Sequence, residues 1–259
     1  MTSGSSKDFG PIREDYAFFE DHATEAAQDA RAYAVHVRAL PKHSRPIPML
    51  DIGCGEGRFS SRFLEACGLP ADRLRLTLVE PDEVYRRRAV ERLERLTAHP
   101  VSAWPAMPAE LDGRFDLVLA NHVFYYVTNL DEVVGAIRRL LAPAGLFLAA
   151  MAGQNNLLIQ FWNHCFGLLG KPVPFHTGED FAAALSRCGI GYLRKEVSYT
   201  LEFPDAEENR LRILRFLLGS HFADVPRPPM LELFDPHAED GRIVMRITHD
   251  HYILRGAVR

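Results

Sequence analysis

Short apolar runs alternate with helical patterns through the first half of this chain. The runs at 49–52, 74–79, 115–120 and 146–151 carry few polar positions, as strands buried on both faces do. A weaker run at 100–104 reads as a third strand. Helical patterns follow at 58–67, 82–97 and after Asn129 or Asp131, where Val133, Val134, Ile137, Leu140 and Leu141 share one face. Alternating strands and helices predict a doubly wound, mostly parallel α/β sheet.

The flanks read differently. Residues 16–40 are helical in character, rich in alanine with Phe18, Phe19, Tyr33, Val35 and Val37, and Pro41, Pro46 and Pro48 lead into the first strand. After the fifth strand, Gly153-Gln154-Asn155-Asn156 opens an apolar helix at 157–169 containing Phe161, Trp162 and Phe166. Thr177-Gly178-Glu179-Asp180 resembles a capping box that starts a helix to Cys188. A strand at 192–203, a helix at 207–219, a linker at 226–229 and strands at 243–247 and 251–254 complete the pattern.

Composition narrows the function. The chain has 259 residues, 47% hydrophobic and 25% charged, which suits one large α/β domain. With net charge −4 and no basic stripe, it is not expected to bind nucleic acid. Arg86-Arg87-Arg88, followed by Glu91, Arg92, Glu94 and Arg95, reads as a solvated, ion-paired helix face. Cys54, Cys67, Cys165 and Cys188 form no C-x-x-C pair, which speaks against a zinc ribbon or redox couple. The most apolar stretch, 140–152, is broken by Pro143 and Gly145 and is too short for a membrane span. A cytoplasmic protein with reduced thiols and a small-molecule partner is expected; the oligomeric state is not signalled.

The strongest chemical signal is Asp51-x-Gly53-x-Gly55-x-Gly57 between the first strand and its helix, with Glu80 ending the second strand. Glycines at such a turn let a nucleotide approach the backbone, and the acid suits ribose hydroxyls. Arg58 stands where a dinucleotide fingerprint needs its last glycine, which disfavours a nicotinamide enzyme. The run resembles motif I of the class I methyltransferases, which bind S-adenosylmethionine. That resemblance implies a Rossmann-like, seven-stranded sheet with N-terminal helices and a helical lid insertion. It implies that Gly53, Cys54, Gly55 and Gly57 lie against the methionine and sugar of the cofactor, with Asp51 near its amino group. Glu80 and Pro81 then meet the ribose, and Trp104 and Pro105 pack near the adenine. The chain divides accordingly as one domain, 1–259: a flexible tail at 1–10, a helical cap at 11–48, a cofactor-binding core at 49–151, and substrate-side insertions with C-terminal strands at 152–259.

Asn121, His122, Tyr125 and Tyr126 follow the fourth strand, where loops line the ligand crevice of such sheets. They are the candidate catalytic residues: Asn121 for the methionine carboxylate or acceptor, the tyrosine rings for a cation, and His122 for a proton, with His176 or a water as the alternatives. The segment Phe18-Phe19-Glu20-Asp21-His22-Ala23-Thr24-Glu25-Ala26-Ala27-Gln28 resembles the histamine N-methyltransferases. So do Tyr125-Tyr126-Val127, the Gly153 loop with its following tryptophan, and 177–185. The resemblance implies that Glu25 anchors an amine, with Phe19, Asn155, Trp162 and His176 on the substrate side. His122 replaces a glutamine of that family, a departure that points away from histamine itself. His249 and His251 flank Asp250 on one strand face and are expected to face solvent, with too few ligands for a metal. The expected activity is methyl transfer to a small molecule. One alternative is attack at the cofactor's γ-carbon with release of methylthioadenosine, as in azetidine-2-carboxylate synthases. Another is a non-catalytic partner that binds the cofactor.

Overall fold

In the computed structural model, which describes residues 7–40, 45–107 and 114–256, the apolar runs form the centre of one sheet. The strands β1 (Ile47–Ile52), β2 (Leu74–Val79), β3 (Ser102–Trp104), β4 (Phe115–Asn121) and β5 (Leu141–Met151) pair in parallel in the order β3-β2-β1-β4-β5. Two long antiparallel strands extend the β5 edge: β8 (Arg242–Arg255) lies against β5, and β6 (Leu193–Pro204) against β8. The two-residue β7 (Ala238–Glu239) pairs with β8, so the described sheet has eight strands, one more than expected.

Alternate residues of the central strands face two separate cores. Leu50, Val118, Phe147 and Ala149 join one, together with α5 (Leu130–Leu140), α6 (Leu157–Leu168), α7 (Gly178–Arg187) and α8 (Glu207–Leu218). Met49, Leu76, Leu117, Leu119 and Leu148 join the other, with α2 (Glu25–Arg38), α3 (Arg58–Cys67) and α4 (Glu83–Leu93). Burial on both faces explains why these strands read as continuous apolar runs. β1 lies between β2 and β4, so the strand order reverses there and a crevice opens at the carboxyl ends of β1 and β4.

Some boundaries differ from the sequence expectation. β5 starts before Pro143 because the β4–β5 register shifts between Phe115 and Leu117, absorbing the turn residues as an irregularity with Ala144 at φ 60°. The helix expected at 82–97 ends at Leu93 and finishes as a 3₁₀ turn. The stretch at 226–229 is not a linker. It opens the short helix α9 (Arg227–Leu231), whose first turn tolerates proline because its N–H groups lack helical partners. The two C-terminal strands are one: polar Thr248 to His251 stay in an unbroken ladder with β6. The capping box at Thr177 and Asp180 forms as expected.

The helical cap is hooked to the far sheet edge. Between α1 (Arg13–His22) and α2, Thr24 N–H donates to the Thr200 carbonyl at 2.9 Å, and Thr200 N–H donates to Thr24 Oγ1 at 2.9 Å. Asp15 on α1 pairs with Arg215 at 3.0 Å and Arg212 at 3.6 Å on α8. Residues 1–6 of the expected tail, and Pro41, lie outside the described residues. From Lys7 onward the chain packs: the Lys7 ammonium is buried among the Phe9, Tyr126, Phe175 and Phe216 rings and donates to the carbonyls of Phe216 and Leu217.

Gly57 caps α3 at φ 74°, and a Cβ there would lie 3.2 Å from Ala89 Cα on α4. Gly57→Ala should therefore cost about 1–3 kcal/mol, measurable as a lower urea midpoint with an unchanged m-value. An unchanged midpoint would show that the α3–α4 contact gives way freely.

Candidate active site

The glycine turn after β1 is built from left-handed residues: Gly53, Gly55 and Gly57 have φ of 69°, 56° and 74°. Such angles cost an L side chain about 1–2 kcal/mol each, so glycine is the fitting residue. The turn is tied to β2, since Gly53 N–H donates to the Val79 carbonyl at 2.7 Å and Gly55 N–H to Glu80 Oε2 at 2.9 Å. Above Gly55 there is open space, and Asp51, Gly53, Cys54, Gly55 and Asn121 line the cavity. This wall fits an S-adenosylmethionine molecule: a bare backbone turn beside a buried acid.

Asp51 is 3% exposed, and Ser60 donates to it. Burial pushes its pKa up to about 7, partly opposed by the Ser60 hydrogen bond. Burial also raises Glu80, against the backbone N–H donors of Asp82 and Gly55. Glu80, Pro81, Trp104, Pro105 and Gly57 do not line the cavity. Glu80 stands directly behind Gly55, whereas Trp104 is 44% exposed on the short edge strand β3.

The opposite wall comes from the loop after β4 and from α2. His122 sits at φ 54°, a strained conformation for a non-glycine residue and one that concentrates at functional sites. His122 Nδ1 lies 2.9 Å from the Tyr125 hydroxyl, which also accepts the Ala152 N–H. His122 Nε2 lies 3.2 Å from Asp29 Oδ2 and 3.5 Å from Glu25 Oε1. Burial opposes an imidazolium at His122, but Glu25 and Asp29 outweigh it and hold its pKa above the usual value. Glu25, Asn121, His122, Tyr125 and Tyr126 all line the cavity, with Phe19 and Trp162.

Asp29, which sequence reasoning passed over, is fully buried at the centre of this wall. Its Oδ1 is 2.7 Å from His249 Nε2 and 2.7 Å from His251 Nε2. Its Oδ2 meets His122 Nε2 and accepts Asn121 Nδ2–H, each at 3.2 Å. The Tyr33 hydroxyl donates to Asn121 Oδ1 at 3.0 Å, completing the network. Burial alone would raise the Asp29 pKa, but the three imidazoles hold it well below the usual carboxylate value.

The expected solvent-facing pair is thus corrected: His249 and His251 are 2% and 1% exposed, because their side of β8 faces α2. A signal for this was present, since Ile243, Met245 and Ile247 set the buried face of that strand and 249 and 251 continue it. The i,i+4 spacing of Glu25 and Asp29 likewise places both on one helix face. Asn155 is exposed and does not line the cavity; its neighbour Asn156 caps α6, donates to the Thr248 carbonyl at 2.8 Å and lines the cavity. His176 does not line the cavity; its Nε2 lies 3.0 Å from the Val127 carbonyl and its N–H donates to the Tyr125 carbonyl, latching the β4 loop. Tyr199 and Phe216 complete the wall.

Fold and crevice together define the class I S-adenosylmethionine-dependent methyltransferases. The chain belongs to the Methyltransferase domain family, whose model matches residues 21–193. It is 30% identical over 153 residues to a malonyl-[acyl-carrier protein] O-methyltransferase of Geobacter sulfurreducens, covering 56% of each chain. It is 28% identical to the bifunctional biotin biosynthesis protein BioCD of Bordetella avium, over 58% of this chain and 31% of that protein. The chain thus spans about half or less of these curated relatives. Among solved structures, it resembles the plantazolicin methyltransferase BpumL bound to S-adenosylhomocysteine, with TM-score 0.54 and 12% identity over 95% of this chain and 91% of that one. It also resembles the [4+2]-cyclase SpnF, with TM-score 0.53 and 16% identity over 88% and 82%. Among the described residues no helix is long and apolar enough to cross a membrane.

The Asp51 shift has a consequence for stability. The folded chain keeps this proton up to about pH 7, whereas an unfolded aspartate releases it near pH ~4. Between those values the folded state binds more protons, so this group's contribution to stability falls as pH rises. Urea unfolding at pH 5 and pH 8 should show a smaller loss on alkalinisation for Asp51→Asn than for the parent. Equal losses would mean that Asp51 ionises normally in the folded chain.

Proposed function

We propose that this protein transfers a methyl group from S-adenosylmethionine to a small-molecule amine, with the Tyr125–His122–Asp29 chain receiving the amine proton. The observation that carries this reading is His122: strained, on the cavity wall, and hydrogen-bonded on one side to a cavity tyrosine and on the other to a buried carboxylate. Bound S-adenosylmethionine supplies an activated methyl group, so the chain's main task is alignment, which contributes up to ~7–11 kcal/mol in favourable systems. Asp51 and the Gly53–Gly57 turn hold the cofactor, with Glu80 behind them. Phe19, Tyr126, Trp162 and Phe216 exclude water and present ring faces to a cation. Glu25 anchors the amine. The Tyr125 hydroxyl takes the amine proton as its own proton passes to His122 Nδ1, leaving an imidazolium beside the Asp29 carboxylate.

Cavity charge favours an amine over the oxygen acceptor named for the Geobacter relative. Glu20, Glu25, Asp51 and Glu56 line the cavity, while its two arginines are engaged: Arg58 pairs with Glu20 and Asp21 at 2.9 Å, and Arg13 lies 3.6 Å from Asp82. The likeness to histamine N-methyltransferases supports the same acceptor class through Glu25. One observation favours a second reading. The Lys7 ammonium already occupies the box of Phe9, Tyr126 and Phe216, three rings that line the cavity; with that box closed to an acceptor, the nucleophile would be the cofactor's own amine. Its attack on the γ-carbon would break the carbon–sulfur bond and release methylthioadenosine.

Mass spectrometry with S-adenosylmethionine, alone and with a panel of amines, acids and phenols, separates the readings. Amine-dependent S-adenosylhomocysteine is expected. Methylthioadenosine formed without an acceptor would replace methyl transfer with the second reading. His122→Gln should lower kcat about 10²–10⁴-fold while calorimetric affinity for S-adenosylhomocysteine holds. Because the base works unprotonated, the parent's rate should rise with pH through a value above the ordinary ~6.5 of histidine. A flat pH profile would remove His122 from the proton path. Glu25→Gln should raise KM for cationic amines and leave cofactor affinity unchanged; loss of both would make Glu25 structural.

A further inference from the structure

We infer that Asp29, His249 and His251 form a binding site for a divalent metal ion of the zinc class. The inference stands apart from the methyl-transfer reading, since it rests on ligand geometry alone.

His249 and His251 occupy alternate positions on β8, so both rings project from the face covered by α2. Their Nε2 atoms lie 3.4 Å apart. Two nitrogens bound at about 2.05 Å around a tetrahedral zinc ion lie about 3.4 Å apart as well. Both rings aim the same atom at the same oxygen, Asp29 Oδ1, although Oδ2 of that carboxylate takes only the more distant contacts of His122 and Asn121. Two imidazoles therefore converge on one carboxylate oxygen, and a retreat of Oδ1 by about 0.8 Å would give all three atoms the spacing of ligands around one ion.

The surroundings suit an ion. Asp29 Oδ2 holds His122 and Asn121, and the Tyr33 ring stacks on His251 at 4.1 Å, so the carboxylate and one imidazole are fixed in place, while Nδ1 of His249 is buried without a hydrogen-bond partner among the described residues. Glu25, His122 and His249 form a second group of close ligand atoms that shares His249 with the first. Glu25 and His122 line the cavity, so the cavity approaches the cluster from the His122 side. The donor set decides the class of ion. Imidazoles predominate, which favours zinc, cobalt, nickel or iron over magnesium and calcium, whose sites are built mainly of oxygen. A divalent charge also compensates a carboxylate held entirely out of water.

The test uses the full chain, stripped with a chelator and titrated with Co²⁺ as the spectroscopic probe and Zn²⁺ as the competitor. One Co²⁺ per chain is expected, with visible d–d bands that Zn²⁺ abolishes. His249→Gln and His251→Gln should each weaken Co²⁺ binding more than about 100-fold, beyond the loss typical of an outer partner. The exposed His164→Ala should not weaken it. X-ray absorption of the zinc-loaded parent should show a nitrogen and oxygen shell with imidazole scattering, which needs no variant to fold. Failure of the parent to take up stoichiometric Co²⁺ or Zn²⁺ would overturn the site and leave Asp29 satisfied by imidazole N–H donors alone. Uptake that survives both histidine substitutions, or a shell containing sulfur, would do the same.

Discussion

A carboxylate without access to water must be met by donors, and the candidate site depends on how Asp29 meets that demand. Fully buried on α2, it gathers His122 and Asn121 from the loop after β4 and His249 and His251 from β8. A buried charge stripped of such partners costs several kcal/mol, so these elements cannot separate cheaply. The same contacts fix the rings of the cavity wall. His122 keeps its left-handed backbone because the Ala150 carbonyl, Tyr125 and Asp29 hold it from three sides. Fold stability and side-chain positioning thus share one interaction, linking the helical cap, the parallel core and the antiparallel edge.

The two walls of the crevice have different physical origins. The cofactor wall is mostly backbone, a glycine turn tied to the end of β2 with acids behind it, and it follows from the switch in strand order at β1. The facing wall is made of side chains from α1, α2, the β4 loop, α6, β6 and α8. The family match ends at residue 193, where β6 begins, so β8 with its two histidines lies beyond it. The facing wall draws on both sides of that boundary: α2, the β4 loop and α6 lie inside the match, whereas β6 and α8 lie beyond it. One fold resembles both a methyltransferase and a cyclase at similar TM-scores, since a fold by itself does not dictate the reaction.

Electrostatics separates the walls further. Asp51 and Glu80 are raised by burial and have few cationic partners, so the cofactor side holds acids that a positively charged ligand would help to ionise. Asp29 is lowered by its imidazoles and remains an anion. Two buried aspartates in one crevice therefore differ in charge state, and the difference comes from neighbours supplied by distant parts of the chain.

Local pattern was enough to read the parallel core, the glycine turn after β1, the strand end at Glu80, and the loop from Asn121 to Tyr126. Each depends on contiguous residues: an apolar run, a set of left-handed positions, a strand end. Expectations for the edges were weaker where sequence alone could not show what lies opposite. Pro226 to Pro229 reads as a linker until the first turn of α9 is seen to accept proline. His249 and His251 read as a solvent-facing pair until α2 is seen to cover their side of β8. The convergence of Asp29, His249 and His251 was decided by tertiary structure alone, across more than two hundred positions of chain. Sequence shows that residues 249 and 251 share a face, since strand periodicity is local; only the hook between Thr24 and Thr200 and the pairing of β6 with β8 bring α2, and its buried acid, over that face.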